Sequence, residues 1–247
     1  MIRANSGNYF KIRQCLNQWQ QEAVCKAAKA EITRYADDWN RRIAAGLPAF
    51  DEAVFPLALA ADALVNVSDI IEKQLVSHEK AQYLIKSYLQ SKTCEEVIAK
   101  GLSDNQLRMY IHLVCLTVMN IMAENIYCEE VSQSWLQNIC PACGSAPALA
   151  YYDDNGKRKL VCGTCITHWQ FKRLGCAVCD EENHNNIQIV KCGNDFPGWS
   201  VQVCKTCYSY LKVADLRELD QTPDWIVANV STLPMDFTAE KWLSENF

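Results

Sequence analysis

CPACGSAPALAYYDDNGKRKLVCGTCITHW, residues 140–169, sets two Cys-x-x-Cys pairs 18 residues apart around a short polar turn. Two more pairs follow, Cys176/Cys179 in CAVC and Cys204/Cys207 in CKTC, separated by 24 residues. Eight of the chain's 14 cysteines thus fall between Cys140 and Cys207. A divalent metal takes four thiolates at tetrahedral corners, and two such knuckles supply two each. The two-residue gap turns the backbone so that both sulfurs of a pair face one ion. In CPACG, Pro141 fixes φ and Gly144 tolerates the conformation that follows the second cysteine. Consecutive pairing predicts two groups, Cys140, Cys143, Cys162 and Cys165, then Cys176, Cys179, Cys204 and Cys207. The first has the spacing of a metal ribbon and the second is slightly long. Interleaved pairing would need intervals of 32 and 38 residues. Four thiolates suit iron and zinc alike, so the metal stays open between them. A thioredoxin-like dithiol wants an adjacent βαβ unit, which is not readable here. An iron–sulfur cluster is compatible with the ligands, but hairpin-spaced pairs suit a mononuclear ion better.

Around the cysteines the apolar residues form short strand-like runs: 148–152, 159–161, 187–190 and 199–203. Asp153-Asp154-Asn155-Gly156 predicts a hairpin turn, because Asn-Gly readily adopts positive φ. Upstream the grammar is helical. Ile12, Leu16, Trp19, Ala23 and Ala27 step by three or four, as do Ile32, Tyr35, Trp39 and Ile43, until Gly46-Leu47-Pro48 stops the run. The same rhythm fills 57–76, with Ser68 as a possible internal cap, then Ala81, Leu84, Ile85, Tyr88 and Leu89. Thr93/Glu96 and Ser103/Gln106 read as capping boxes, the second opening a helix with Leu107, Ile111, Val114, Val118 and Met122 inward. A final segment spaces Trp225, Val230, Leu233, Phe237 and Trp242 as short helices that pack back. The expected class is α+β: an N-terminal helical bundle, 1–139, then two tandem rubredoxin- or zinc-ribbon-like modules, 140–174 and 175–220, and a tail, 221–247.

Composition narrows the function. With 247 residues and 49% hydrophobic side chains the chain fills a real core, and a net charge of −5 disfavours nucleic acid or anionic lipid as partner. The first residues hold no secretory-type apolar stretch. The most apolar segment, 109–123, is too short to span a bilayer comfortably. A cytoplasmic protein, not integral to a membrane, is expected, where cysteines stay reduced. Cys15, Cys25, Cys94, Cys115 and Cys128 read as small core residues, and Cys192 has no assignment. His168 and His184 are not needed as ligands beside eight thiolates and read as solvated or hydrogen-bonded surface groups. Asp180-Glu181-Glu182 reads as a solvated acidic face. No nucleophile elbow, P-loop or dinucleotide fingerprint is present, so neither an enzyme nor a small-molecule substrate is predicted.

CPACGSAP, LVCGTCITHW, RLGCAVCD and VQVCKTCYSYLK, with the trailing TPDWIVANVSTLPMDFTAEKWL, resemble the formate dehydrogenase accessory protein family, FdhE. The resemblance is specific from Cys140 onward: four knuckles in order, Trp169 four residues after Cys165, and Tyr-Leu-Lys after the last knuckle. It implies an N-terminal helical domain, two rubredoxin-like modules, and eight knuckle cysteines as ligands of two metal ions, iron or zinc. It further implies a cytoplasmic accessory protein that binds the catalytic subunit of formate dehydrogenase and is needed for its activity. The chain departs from the family in a shorter N-terminal part, in Asp180 after the third knuckle, and in His168 before Trp169. A rubredoxin-like carrier of single electrons is the alternative from another class, and a zinc-ribbon nucleic-acid binder is the third. Trp169, Tyr208 and Tyr210, beside the knuckles, are candidates for partner contact or for the core.

Overall fold

In the computed structural model, residues 12, 14–19, 27–50, 55–70, 77–90, 104–126, 135–193 and 195–246 are described. The chain divides into two compact units, Met1–Ala45 with Ala49–Ile126 and Gly46–Pro48 with Tyr127–Phe247. The α+β class read from the sequence is the class observed, with helices first and two four-cysteine modules after them. Cys25, Cys94 and Cys128, and the side chains of Ser68, Thr93, Glu96, Ser103 and Gln106, lie outside the described residues.

The first unit is built from helices α1 (Ala27–Ala44), α2 (Leu57–Ile70), α3 (His78–Leu89) and α4 (Asp104–Ile126), preceded by a helical stretch over 14–19. Their inward stripes follow the apolar spacing. Leu16 is buried ahead of α1, Trp39 on α1, and Leu64 and Val67 on α2; Ala81, Leu84 and Ile85 on α3 and Leu107, Ile111, Val114, Val118 and Met122 on α4 are buried too. Trp39 stacks on Tyr35 at 5.6 Å and meets the edge of Phe50 at 5.4 Å. Helix α1 ends before Gly46, whose φ of 73° no helix accommodates. Cys115 is buried on α4, and that burial pushes its thiol up to about 12, so it behaves as an apolar filler. Cys15 is half-buried. Among the described residues no helix is long and apolar enough to cross a membrane.

The second unit is organised by one six-stranded sheet. Its strands are β1 (Pro147–Tyr152), β2 (Arg158–Cys162), β3 (His168–Gln170), β4 (Ile187–Lys191), β5 (Trp199–Cys204) and β6 (Tyr210–Asp215). The order is β3-β2-β1-β6-β5-β4. Each module is a three-stranded antiparallel meander, and parallel pairing of β1 with β6 joins the two, Leu149 opposite Lys212 through Tyr152 opposite Asp215. Joining them removes one exposed edge from each meander. The spacing had marked only β1, β2, β4 and β5; β3 and β6 come from segments whose alternation is interrupted by polar residues.

The first hairpin turns as its sequence demands, although only Gly156 takes positive φ, at 71°. Asp153 replaces the second positive φ with hydrogen bonds: its Oδ1 accepts from Asn155 N at 3.0 Å and Lys157 N at 2.9 Å. This is an Asx turn closing a three-residue loop.

One face of the sheet is covered by α5 (Trp225–Ser231) and α6 (Leu233–Asn246). Asp224 caps α5 by accepting from Ile226 N and Val227 N. Trp225 and Ala228 pack on Leu149, Tyr151, Val161 and Ala214, while Met235 and Ala239 pack on Val201 and Val203. The apolar spacing had placed Val230, Leu233 and Phe237 inward, yet they are 63%, 53% and 72% exposed. The break between α5 and α6 at Thr232 resets the helical phase, so the buried stripe of α6 is Met235, Ala239 and part of Trp242 and Leu243. A buried cation locks this helix down: Lys212 Nζ donates to Asp236 Oδ2 at 3.1 Å and to Asn229 O at 3.3 Å. Its side chain is 5% exposed and that of Asp236 is 21%. Asp236→Ala, which strands the ammonium, is expected to destabilise this unit by about 3 kcal/mol. The double variant Lys212→Met/Asp236→Leu should recover most of that loss in chemical denaturation. Equal stability of Asp236→Ala and the unmodified chain would contradict the assignment.

Candidate metal centres

The four knuckles share one closing hydrogen bond. Cys140 N donates to Ser145 O at 2.9 Å, Cys162 N to Thr167 O at 2.9 Å, Cys176 N to Glu181 O at 2.8 Å, and Cys204 N to Ser209 O at 2.9 Å. To bring that carbonyl back, the residue after the second cysteine takes positive φ: Gly144 at 73°, Ile166 at 59°, Asp180 at 60° and Tyr208 at 58°. Only the first is glycine, and left-handed backbone costs other residues about 1–2 kcal/mol each. At Gly144 a side chain would also be crowded, since Pro48 Cγ lies 3.0 Å from where a Cβ would stand and would have to give way. The Asp180 departure noted in the sequence therefore keeps the knuckle geometry and leaves the backbone strained.

Hairpin register then sets which knuckles meet. Cys162 and Cys204 are the last residues of β2 and β5, level with the start of β1 and β4, the strands that follow the first and third knuckles. The sulfurs of Cys140, Cys143, Cys162 and Cys165 all lie within 4.8 Å of one another, and so do those of Cys176, Cys179, Cys204 and Cys207. Every predicted residue is thus brought together in the consecutive grouping. Within the first group Cys140–Cys165, Cys143–Cys162 and Cys143–Cys165 sulfurs are 3.6, 3.4 and 3.5 Å apart. In the second, Cys176–Cys207 and Cys179–Cys204 are 3.6 and 3.7 Å apart. A tetrahedron with metal–sulfur bonds of about 2.3 Å has edges of about 3.8 Å, so both groups match a four-thiolate ion. All eight are free thiols.

Donors for the sulfurs are built into the turns. Cys162 Sγ accepts from the amides of Thr164 and Cys165 at 3.3 and 3.4 Å, and Cys176 Sγ from those of Val178 and Cys179 at 3.3 and 3.5 Å. Thr167 Oγ1 lies 2.9 Å from Cys165 Sγ, a partner that the spacing did not single out. Burial pushes the thiols of Cys140 and Cys176 above the usual range. Thiolates at these positions therefore require a cation among them.

The groups differ in exposure. In the first, Cys140, Cys162 and Cys165 are buried and Cys143 is half-buried; in the second, Cys179 is exposed and Cys207 half-buried. The acidic run beside the second group has a structural function that its reading as a solvated face missed. Glu181 Oε2 accepts from Thr206 Oγ1 at 2.6 Å and Asn186 Nδ2 at 2.9 Å, and its Oε1 accepts from Asn183 N at 2.8 Å. These donors hold its carboxyl down at about 2 and clasp the third knuckle to the fourth. Lys172 bridges Asp180 at 2.9 Å and also bonds Glu182.

Neither histidine belongs to a cysteine group. His184 is exposed in the turn before β4. His168 is half-buried and hydrogen-bonded rather than solvated: its Nδ1 shares a hydrogen bond with Tyr151 Oη at 3.1 Å, and its ring abuts Trp225 edge-on at 5.6 Å. Burial, aided by Lys159, holds the imidazole down at about 4. Trp169 is fully buried, donating to Gln137 O at 2.8 Å, and Tyr210 is half-buried against the α6 core. Tyr208 alone of the three aromatic candidates is exposed, at 56%. Cys192 packs at the edge of the same core.

The family model for the FdhE central domain matches residues 139–173, which contain the whole first group. The "Protein FdhE homolog" of Aquifex aeolicus is 27% identical over 176 residues, 68% of this chain and 57% of that protein. Its counterpart in Rhizobium meliloti is 28% identical over 102 residues, 40% of this chain and 33% of that protein. The chain thus spans little more than half the length of the first relative and a third of the second. The crystal structure of the FdhE protein from Pseudomonas aeruginosa superposes with a TM-score of 0.58 at 16% identity, covering 95% of this chain and 85% of that one. The resemblance to FdhE read from the knuckles is borne out, and the shared fold extends to the helical half.

Loaded with zinc, the two groups are expected to lose it to a chelator in two phases. The faster phase belongs to the exposed second group and is absent in Cys179→Ala; a fast phase that survives Cys179→Ala would contradict the exposure argument. His168 supplies a pH dependence. Its imidazole titrates lower in the folded than in the unfolded chain, so its contribution is present above about pH 6.5 and is lost as pH falls toward 4. Between pH 6.5 and 5 the unmodified chain should lose about 1.5 kcal/mol more stability than His168→Gln, measured by denaturation at both pH values. Thiolate protonation affects both proteins alike, so equal losses would place His168 in water.

Proposed function

We propose that this chain is an accessory protein that binds the catalytic subunit of a formate dehydrogenase and is needed for that enzyme to become active. It catalyses no reaction itself, acts in the cytoplasm, and holds one iron or zinc ion in each four-cysteine group, with the eight knuckle cysteines as ligands. The observation that carries this reading is the FdhE central-domain match over 139–173, which coincides with one complete tetrahedral set of sulfurs. Bound metal would supply folding free energy to the modules, and the chain's own turns would present rigid knuckle tips. Exposed Tyr208 and Val178 stand at two of these tips, on the more open group. Residues 140–247 carry 10 basic and 13 acidic side chains, a balance of −3 before any thiolate is counted. That supports a protein partner with a neutral or basic face over nucleic acid.

The purified chain is expected to retain a formate dehydrogenase catalytic subunit from a lysate, and deletion of its gene to abolish formate-dependent respiratory activity. Full activity in the deletion strain would refute the proposal. The exposure of Cys179 favours a second reading, single-electron transfer through a rubredoxin-like iron centre. Anaerobically purified protein separates them: a red, reversibly bleached solution supports electron transfer, and a colourless one with two equivalents of zinc counts strongly against it.

A further inference from the structure

Arg158 is the first residue of β2 and is 1% exposed. Its parity is that of Leu160 and Cys162, on the sheet face turned away from α5 and α6. Nη1 donates to Gly175 O at 2.7 Å and to Lys172 O at 3.3 Å, Nη2 donates to Gln202 Oε1, and the ring of Phe171 lies 5.5 Å from Cζ. Every one of these acceptors is neutral. Among the described residues no carboxylate is paired with the guanidinium, although a buried charge is ordinarily retained only beside an anion.

The missing anion has an obvious place. Gly175, which takes the shortest bond, immediately precedes Cys176, and Cys176 lies within electrostatic reach of the guanidinium. Gln202, 6% exposed, lines a cavity of about 10 Å³ together with Cys176, Cys204 and Ser209, room for one water. Gln202 Nε2 and Arg158 Nε are the two buried side-chain polar atoms without a hydrogen-bond partner among the described residues. Gln202, with one donor orphaned, thus lines the cavity at the second cysteine group, and the unpaired cation bonds the residue that precedes the group's first cysteine. Around the first group's sulfurs the described donors are amides and the hydroxyls of Thr167 and Ser145.

We infer that Arg158, positioned by Gln202, is the counter-charge of the second four-cysteine group and selectively raises that group's affinity for metal. Four thiolates around a divalent ion carry formal charge −2, and the guanidinium offsets half of it where exposure of Cys179 leaves the ion least protected. A residue of the first module thereby stabilises the metal of the second. This inference rests on the proposal that each group holds a metal ion.

The test is chelator competition on the zinc-loaded full chain. Arg158→Met is expected to weaken one of the two equivalents by about 10–100-fold and to leave the other within about twofold, while Arg158→Lys, which keeps the charge, loses much less. In a Cys179→Ala background, Arg158→Met should leave the remaining equivalent unchanged. Gln202→Glu covers the case in which Arg158→Met does not fold: it gives the guanidinium a carboxylate partner, and zinc at the second group should weaken while the fold is kept. The inference is overturned if Arg158→Met and Gln202→Glu leave both equivalents unmoved, or if Lys and Met at position 158 impair binding equally. Failure of the unmodified chain to hold zinc or iron at either group would instead overturn the metal proposal beneath it.

Discussion

Four sulfurs held within 4.8 Å of one another are the arrangement on which the cysteine-rich unit depends. Thiols gain little from such crowding, and thiolates repel unless a cation lies among them. The chain meets this demand with one device used four times, a turn closed from the first cysteine's amide to the carbonyl five residues on. The device fixes the backbone so firmly that isoleucine, aspartate and tyrosine are held in a conformation suited to glycine. Strain of that kind persists where the surroundings over-determine it.

From this constraint the sheet follows. Because β2 and β5 each end in a ligand-type cysteine, strand register and sulfur geometry are one quantity, and a slip of one residue would turn Cys162 or Cys204 to the opposite face. Two meanders anchored in this way present free inner edges, and the β1–β6 pairing unites them into one sheet. The C-terminal helices then cover one face with Trp225, Ala228, Met235 and Ala239. Tyr151, stacked on Trp225 at 4.7 Å, and His168 complete an aromatic corner that ties the second knuckle's strand to the tail.

The two cysteine groups share their residue type and turn but differ in surroundings. The first is closed, three of its sulfurs being buried, and carries the FdhE central-domain match. The second is open at Cys179, clasped by Glu181 through Thr206 of the opposite knuckle, and has the only unpaired buried guanidinium among the described residues beside it. One group is therefore closed off within its own module, and the other has a sulfur open to solvent.

The sequence by itself determined which cysteines meet, because a two-residue gap and a hairpin-length interval leave the sulfurs few ways to group. It also determined the helical half, where a 3.6-residue apolar period survives intact in Ala81, Leu84 and Ile85 and from Leu107 to Met122. What it left open depended on contacts between residues far apart in the chain. The β1–β6 junction unites strands some sixty residues apart and leaves no local pattern. The phase of α6 depends on a break at Thr232, so Phe237 faces out although its spacing pointed in. His168 and Trp169 are enclosed by the tail and by Gln137, neither of which a local reading can supply. Arg158 lies just ahead of the strand-like run read at 159–161, and nothing local marked it as buried. Only the tertiary structure decided what that charge faces, since burial is a property of what packs around a residue and not of the residue itself.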